Sequence, residues 1–178
     1  MGLRKYITEY KVDDYQQWEG EWELWDGVAV SMGPSPFGRH QKIVTEISRR
    51  ILVAMEKSEC KDCEVATELD WIVSDVQVVR PDISLVCHSD IDRFIEVPPT
   101  LIIEVQSEST ATLDRSQKRD LYAVQGVKHY VMIDSKDKSV AVLQLGLDGA
   151  YHEVDAEKSI PLNLHENCCI ELDFNISP

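Results

Sequence analysis

PPTLIIEVQSEST, residues 98–110, is the stretch on which the fold turns. Leu101, Ile102, Ile103 and Val105 make a short apolar run, bounded by prolines before and by serines and threonine after. That pattern reads as a strand buried on both faces. Glu104 stands in the middle of it. Side chains alternate along a strand, so Ile102, Glu104 and Gln106 share one face while Leu101, Ile103 and Val105 take the other. A carboxylate withdrawn from water without compensation costs several kcal/mol, so Glu104 must be protonated, paired or bound to a cation.

Downstream, SESTATLD supplies helix caps and a helix is predicted from Thr112 to Gln125, closed by Gly126. KHYVMID, 128–134, is the next strand. Strand, helix and strand form a β-α-β unit, which predicts a parallel, right-handed crossover. The SKDK turn, the strand SVAVLQLG and a last pair near 150–154 and 168–174 follow. Upstream, EVATELDWIV (64–73) and VQVVRPDISLVC (76–87) read as two strands separated by Ser74-Asp75. Ile43, Val44, Ile47, Ile51 and Met55 recur at helical spacing between His40 and Lys57, giving an amphipathic helix with a basic outer face. In EWELWDGVAVSM, 21–32, Asp26-Gly27 is a strong hairpin signal because both residues tolerate positive φ. The order predicts one α/β (α+β) domain over 1–178, a mixed sheet flanked by helices with an N-terminal β-hairpin.

The composition, 43% hydrophobic and 28% charged, is that of a globular protein able to bury a core. No apolar run approaches the ~20 residues of a membrane span, and the N-terminus lacks the pattern of a secretory signal. A soluble cytoplasmic protein with no membrane partner is expected. The five cysteines are then expected as reduced, mostly buried thiols. Cys60 and Cys63 have CxxC spacing, but no second CxxC or His pair follows at zinc-finger distance; Cys87-His88 could complete a site only if the fold brought it there. A net charge of −14 argues against a protein that simply coats nucleic acid. The basic segment RHQKIVTEISRR, with Arg39, Lys42, Arg49 and Arg50, is the candidate phosphate-contacting face. The last 32 residues carry seven acidic residues against Lys158 alone.

Asp82 follows Arg80-Pro81 at the head of ISLVC. Pro81 has no N–H to give to a ladder, which places Asp82 near a sheet rim. If the strands of Asp82 and Glu104 are neighbours, the two carboxylates converge and repel unless a proton or cation lies between them. Oxygen ligands with no His or Cys beside them suit Mg²⁺. Asp114, Lys118 and Tyr122 fall at i, i+4 and i+8 on the following helix, so they line one face and the lysine can reach back towards the carboxylates.

RPDISLVC, LIIEVQSEST, the D-x-x-x-K-x-x-x-Y helix and GVKHYVMID, preceded by ELWDGVAV and SPFGRHQKIV, together resemble the Uma-two family. That family belongs to the restriction-endonuclease-like PD-(D/E)XK superfamily, and the likeness spans residues 20–135. The resemblance implies a Mg²⁺-dependent endonuclease, with Mn²⁺ as substitute, that hydrolyses phosphodiester bonds in DNA; Asp82 and Glu104 are its metal ligands. The superfamily lysine ordinarily stands two residues after the glutamate, where this chain has Gln106. The resemblance transfers that role to Lys118, and leaves Gln106 as a neutral member of the catalytic set. His40 and Tyr122 also match family positions; with Glu23 and Asp114 they are candidate supporting residues. A homodimer is compatible with this reading.

Each residue has a structural alternative. Glu104 and Lys118 could merely pin helix to sheet, Asp82 could cap a turn, and Tyr122 could be core with a polar tip. Glu23 reads as a solvated hairpin position, His40 as an early helix residue, and Arg49 and Arg50 as a solvated face. The competing functional class is a non-catalytic nucleic-acid or protein interaction module that keeps the nuclease fold.

Overall fold

Asp26 and Gly27 both adopt positive φ, 47° and 77°, and join β1 (Trp22–Trp25) to β2 (Val28–Ser31) as an antiparallel hairpin. This is the turn that the Asp-Gly pair predicts. A Cβ on Gly27 would lie 2.5 Å from Glu9 Cγ and 3.4 Å from the Tyr10 carbonyl oxygen. Gly27→Ala is therefore expected to cost about 1–3 kcal/mol, the scale for a side chain held in the left-handed region. Urea unfolding measures it, and an unchanged midpoint would mean that the turn relaxes freely.

A computed structural model of the chain describes residues 9–33, 38–58, 60–106, 113–155 and 159–175, without the side chains of 113–115. The short helix α1 (Val12–Tyr15) precedes the hairpin, and α2 (Gly38–Glu56) follows it, buried through His40, Ile43, Val44, Ile47 and Ile51.

The two long strands read over 64–73 and 76–87 each break in the middle. The first gives β3 (Cys63–Thr67) and β4 (Trp71–Ser74); the second gives β5 (Gln77–Val79) and β6 (Ile83–Cys87). Glu68, at φ 50°, turns the first strand, and Pro81, with no amide hydrogen to donate, sits at the break in the second. The ribbon thereby passes from one sheet to another. β3 and β6 belong to a six-stranded mixed sheet, while β4 and β5 join β1 and β2 in a four-stranded antiparallel one.

The large sheet has the order β10-β9-β8-β7-β6-β3, formed with β7 (Leu101–Gln106), β8 (His129–Asp134), β9 (Val140–Leu145) and β10 (Tyr151–Val154). β7 and β8 are parallel and joined through α3 (Leu113–Val124), as the β-α-β pattern predicts. The remaining neighbours are antiparallel. The predicted pairing of the last two strands is corrected: β10 pairs with β9, and 168–173 pairs instead with 159–165. These are β12 (Cys168–Asp173) and β11 (Ser159–His165), a separate two-stranded hairpin. β11 does alternate, with Ile160, Leu162 and Leu164 buried, but Pro161 demotes it as a strand when read from sequence.

Alternation along β7 divides the core. Leu101, Ile103 and Val105 pack with α2 residues and with the β11–β12 hairpin; Ile102 packs on the other face with Trp71, Tyr122 and Tyr130. Glu104 shares the face of Ile102, on which Tyr122 of α3 lies.

Candidate active site

β6 and β7 run antiparallel with Ile83 opposite Ile103. Continuing that register by one residue sets Asp82 across from Glu104, so the two acidic residues of the sequence reading occupy facing positions on adjacent strands. Asp82 accepts the Val105 amide hydrogen on Oδ2 at 2.6 Å and faces His40 Nε2 from Oδ1 at 3.1 Å. This corrects the expectation of an oxygen-only site: a histidine from the start of α2 lies against Asp82. Burial disfavours the imidazolium, but the Asp82 hydrogen bond and charge outweigh it and hold His40 above its ordinary pKa.

Glu104 lies in a different setting. Its Oε1 accepts the Tyr122 hydroxyl at 2.7 Å and is 3.4 Å from Lys118 Nζ. Tyr122 is fully buried, edge-on to Tyr130 and stacked with Trp71, so its hydroxyl is fixed in direction. Burial is the chief influence on Glu104 and pushes its pKa up to about 8. Lys118 and the Tyr122 hydrogen bond work against that rise, whereas Asp82 and Glu23 reinforce it.

Lys118 is itself buried, at 7% exposure, with Nζ 3.0 Å from Glu23 Oε1. Glu23, a candidate supporting residue, is 5% exposed, which overturns its structural alternative as a solvated hairpin position. Leu24, its neighbour in β1, packs with Tyr15 and Val78. The Glu23 carboxylate accepts the Trp25 indole N–H at 2.9 Å and the Arg80 amide at 2.9 Å, so its position is set by three donors. Arg80 in turn bonds Asp70 at 2.6 Å and pairs with Glu21, while the Tyr15 hydroxyl reaches Asp70 at 2.8 Å. No local sequence pattern marks Arg80, Asp70 and Tyr15 as one frame. Only Arg80, inside the R-P-D motif, carried a signal.

One donor atom from each of His40, Glu68 and Asp82 lies within 4.8 Å of the others. Glu68, the residue that turns out of β3, was not foreseen; a single acid at a strand end has no distinguishing pattern. Three buried or half-buried carboxylates (Glu23, Asp82 and Glu104) lie here with the Lys118 ammonium and the His40 imidazole. The donor set and its charge fit a divalent cation that takes oxygen ligands and tolerates an imidazole.

Gln106 shares the Glu104 face at the end of β7 and is half-buried. The Asp114 side chain lies outside the described residues. Arg39 and Lys42 are exposed on α2. Arg49 pairs with Glu46, and Arg50 bonds Glu46 and the carbonyls of Asp173 and Asn175 at 2.8 and 3.0 Å. Arg50 thus ties α2 to the C-terminal segment.

The sequence profile of the Uma2 (Uma-two) family, described as "Putative restriction endonuclease", matches residues 12–173. Among solved structures, a "putative nuclease belonging to DUF820 from Anabaena variabilis ATCC 29413" superposes with a TM-score of 0.69 at 17% identity. The match covers 85% of this chain and 88% of that one. At that identity the likeness shows the fold. A DrdV–DNA complex matches at a TM-score of 0.35 and 17% identity, over 66% of this chain and 12% of that one, an overlap too slight to bear on function. No curated protein matches the chain. No described helix is long and apolar enough to cross a membrane.

Proposed function

The chain belongs to the Uma2 family, and from that premise we propose that it is a divalent-cation-dependent nuclease that hydrolyses phosphodiester bonds in DNA. The observation that carries the reading is the buried Lys118 ammonium, held between Glu23 at 3.0 Å and Glu104 at 3.4 Å on a fixed carboxylate frame. A lysine that only pinned helix to sheet would need one carboxylate. Here two share it, and a third, Asp82, stands across from Glu104 with no lysine or arginine ion pair of its own among the described contacts.

Asp82 and Glu104 are the proposed ligands for Mg²⁺ or Mn²⁺, with His40 and Glu68 beside Asp82. Such an ion supplies Lewis-acid polarisation of the phosphoryl group and a more acidic bound water. Lys118 adds positive charge where the phosphate gains negative charge, and Glu23 keeps the ammonium aimed there. Tyr122 orients the Glu104 carboxylate through Oε1. Gln106 is neutral and can orient water but cannot supply charge. Arg39 and Lys42, exposed on α2, are the candidate phosphate contacts, whereas Arg50 is committed to the C-terminal segment.

Cleavage of supercoiled plasmid and of single-stranded DNA, with Mg²⁺ and with Mn²⁺, tests the proposal, with Asp82→Asn as the control. The parent is expected to cut in the presence of divalent cation and Asp82→Asn to fall to background. Should the parent leave both substrates intact while either cation still raises its melting temperature, the fold serves as a binding module instead.

A further inference from the structure

Four cysteines from separate parts of the chain meet at the end of β6 remote from Asp82. Cys60 lies in the turn after α2, Cys63 opens β3, Cys87 closes β6 and Cys168 opens β12. The structure joins Cys60 to Cys168 and Cys63 to Cys87, the latter two directly opposite in the β3–β6 ladder. The two bridges touch: Cys63 Sγ lies 3.9 Å from Cys168 Sγ. Cys60, Cys63 and Cys168 are buried, whereas Cys169 points outward and stays apart from the cluster.

Four cysteines gathered at one point can form two bridges or hold one metal ion. Around a tetrahedral ion a metal–sulfur distance of about 2.3 Å sets neighbouring sulfurs about 3.8 Å apart. The Cys63–Cys168 separation of 3.9 Å, between sulfurs of different bridges, is close to that spacing. Cys60 and Cys63 supply the two-residue spacing of a chelating pair. The flank is also built as metal sites are: His165 offers a ring nitrogen within 4.8 Å of the Cys63 and Cys168 sulfurs and is held by Asp62 at 3.1 Å. Asp62 also pairs with His88, whose ring lies 4.3 Å from that of His165.

We propose that Cys60, Cys63, Cys87 and Cys168 bind one Zn²⁺ when reduced, forming a structural centre that fastens the β11–β12 hairpin to the large sheet. From the bridged form, each disulfide takes two electrons and two protons from a dithiol reductant, which itself becomes a disulfide. The four resulting thiols then lose their protons as Zn²⁺ binds. The ion lies at the opposite end of β6 from Asp82, so it is distinct from the cation of the proposed nuclease reaction.

The full chain, reduced with a dithiol, is loaded separately with Zn²⁺ and with Co²⁺ and freed of excess metal by gel filtration. About one Zn²⁺ per chain is expected, and the cobalt form should show the thiolate-to-metal charge-transfer intensity of four sulfur ligands. Cys169→Ser should keep both properties, and Cys168→Ser should lose sulfur-to-cobalt intensity. The parent itself keeps the test decisive even if a variant does not fold. If the reduced parent retains no zinc, or its cobalt spectrum lacks thiolate charge transfer, the four cysteines are disulfide partners only and the proposal falls.

Discussion

Glu104→Gln is expected to flatten the pH dependence of stability of the metal-free protein and to remove its response to divalent cation. In the folded chain burial raises the Glu104 pKa to about 8 from an ordinary value of 4.5. Between those two values the folded state keeps a proton that the unfolded state has lost. Stability therefore falls as pH rises through that window, by at most ~1.4 kcal/mol per pH unit for a single proton. Below the window the group contributes no slope, and above about 8 the loss is complete. Glutamine stays neutral throughout, can still accept the Tyr122 hydroxyl, and leaves Lys118 its partner Glu23, so the variant should be the more stable one at high pH. The same replacement removes a charged ligand from the proposed ion site. Millimolar Mg²⁺ or Mn²⁺ should raise the melting temperature of the parent by mass action and leave that of the variant unmoved. DNA cleavage should drop ~10²–10³-fold, the range for losing one electrostatic group at a reacting centre. Thermal melts in EDTA across pH 5–9, repeated with cation, read both effects. A parent whose melting curve ignores both cations would mean that Lys118 alone balances Glu104.

Why the burial of Glu104 could be read from sequence, and that of Glu23 could not, is a matter of what each residue's neighbours reveal. Glu104 interrupts an apolar run, so its burial is visible in a single strand. Lys118 and Tyr122 follow at helical spacing, so their shared face is visible too. Glu23 lies in a hairpin that alternates in the ordinary way, and its burial comes from α1, β5 and the Arg80 frame, which are tertiary contacts. His40 beside Asp82 and Glu68 beside both are likewise brought together by the packing of α2 against the sheet. The fold was legible to a similar depth. The Asp26-Gly27 hairpin, the α2 periodicity and the β7-α3-β8 crossover are local patterns, and each is present. The splitting of the 64–87 ribbon between two sheets rests on a positive φ at Glu68 that no glycine announces. The convergence of Cys60, Cys63, Cys87 and Cys168 rests on sequence separations of 24 and 108 residues, which no spacing rule reaches.

Lys118→Met is expected to lower turnover by ~10²-fold or more, while Gln106→Ala costs less, because only one of the two side chains can carry charge. The lysine that the sequence motif leads one to expect two residues after Glu104 is replaced here by Gln106, and an amide cannot offset charge growing on a phosphate. The α3 lysine reaches the same carboxylate from the helix side, 3.4 Å from Glu104 Oε1. Its flexible four-carbon stem suits that span, and burial at 7% exposure leaves the ammonium less screened than a surface charge. Methionine keeps most of the stem and removes the charge, so packing of α3 against the sheet should survive. It also leaves Glu23 without its buried cation, though the Trp25 indole and the Arg80 amide still hold that carboxylate. Loss of stability and loss of chemistry therefore need separating. Single-turnover cleavage at saturating cation, on protein shown folded by its melting curve, isolates the chemical step. Lys118→Arg supplies the contrast: it restores charge but not the compact ammonium, so partial recovery is expected if charge is what matters. Parent-like cleavage by Lys118→Met would assign the lysine to holding Glu23 and Glu104 together, and the positive charge at the phosphate would then have to come from the cation alone.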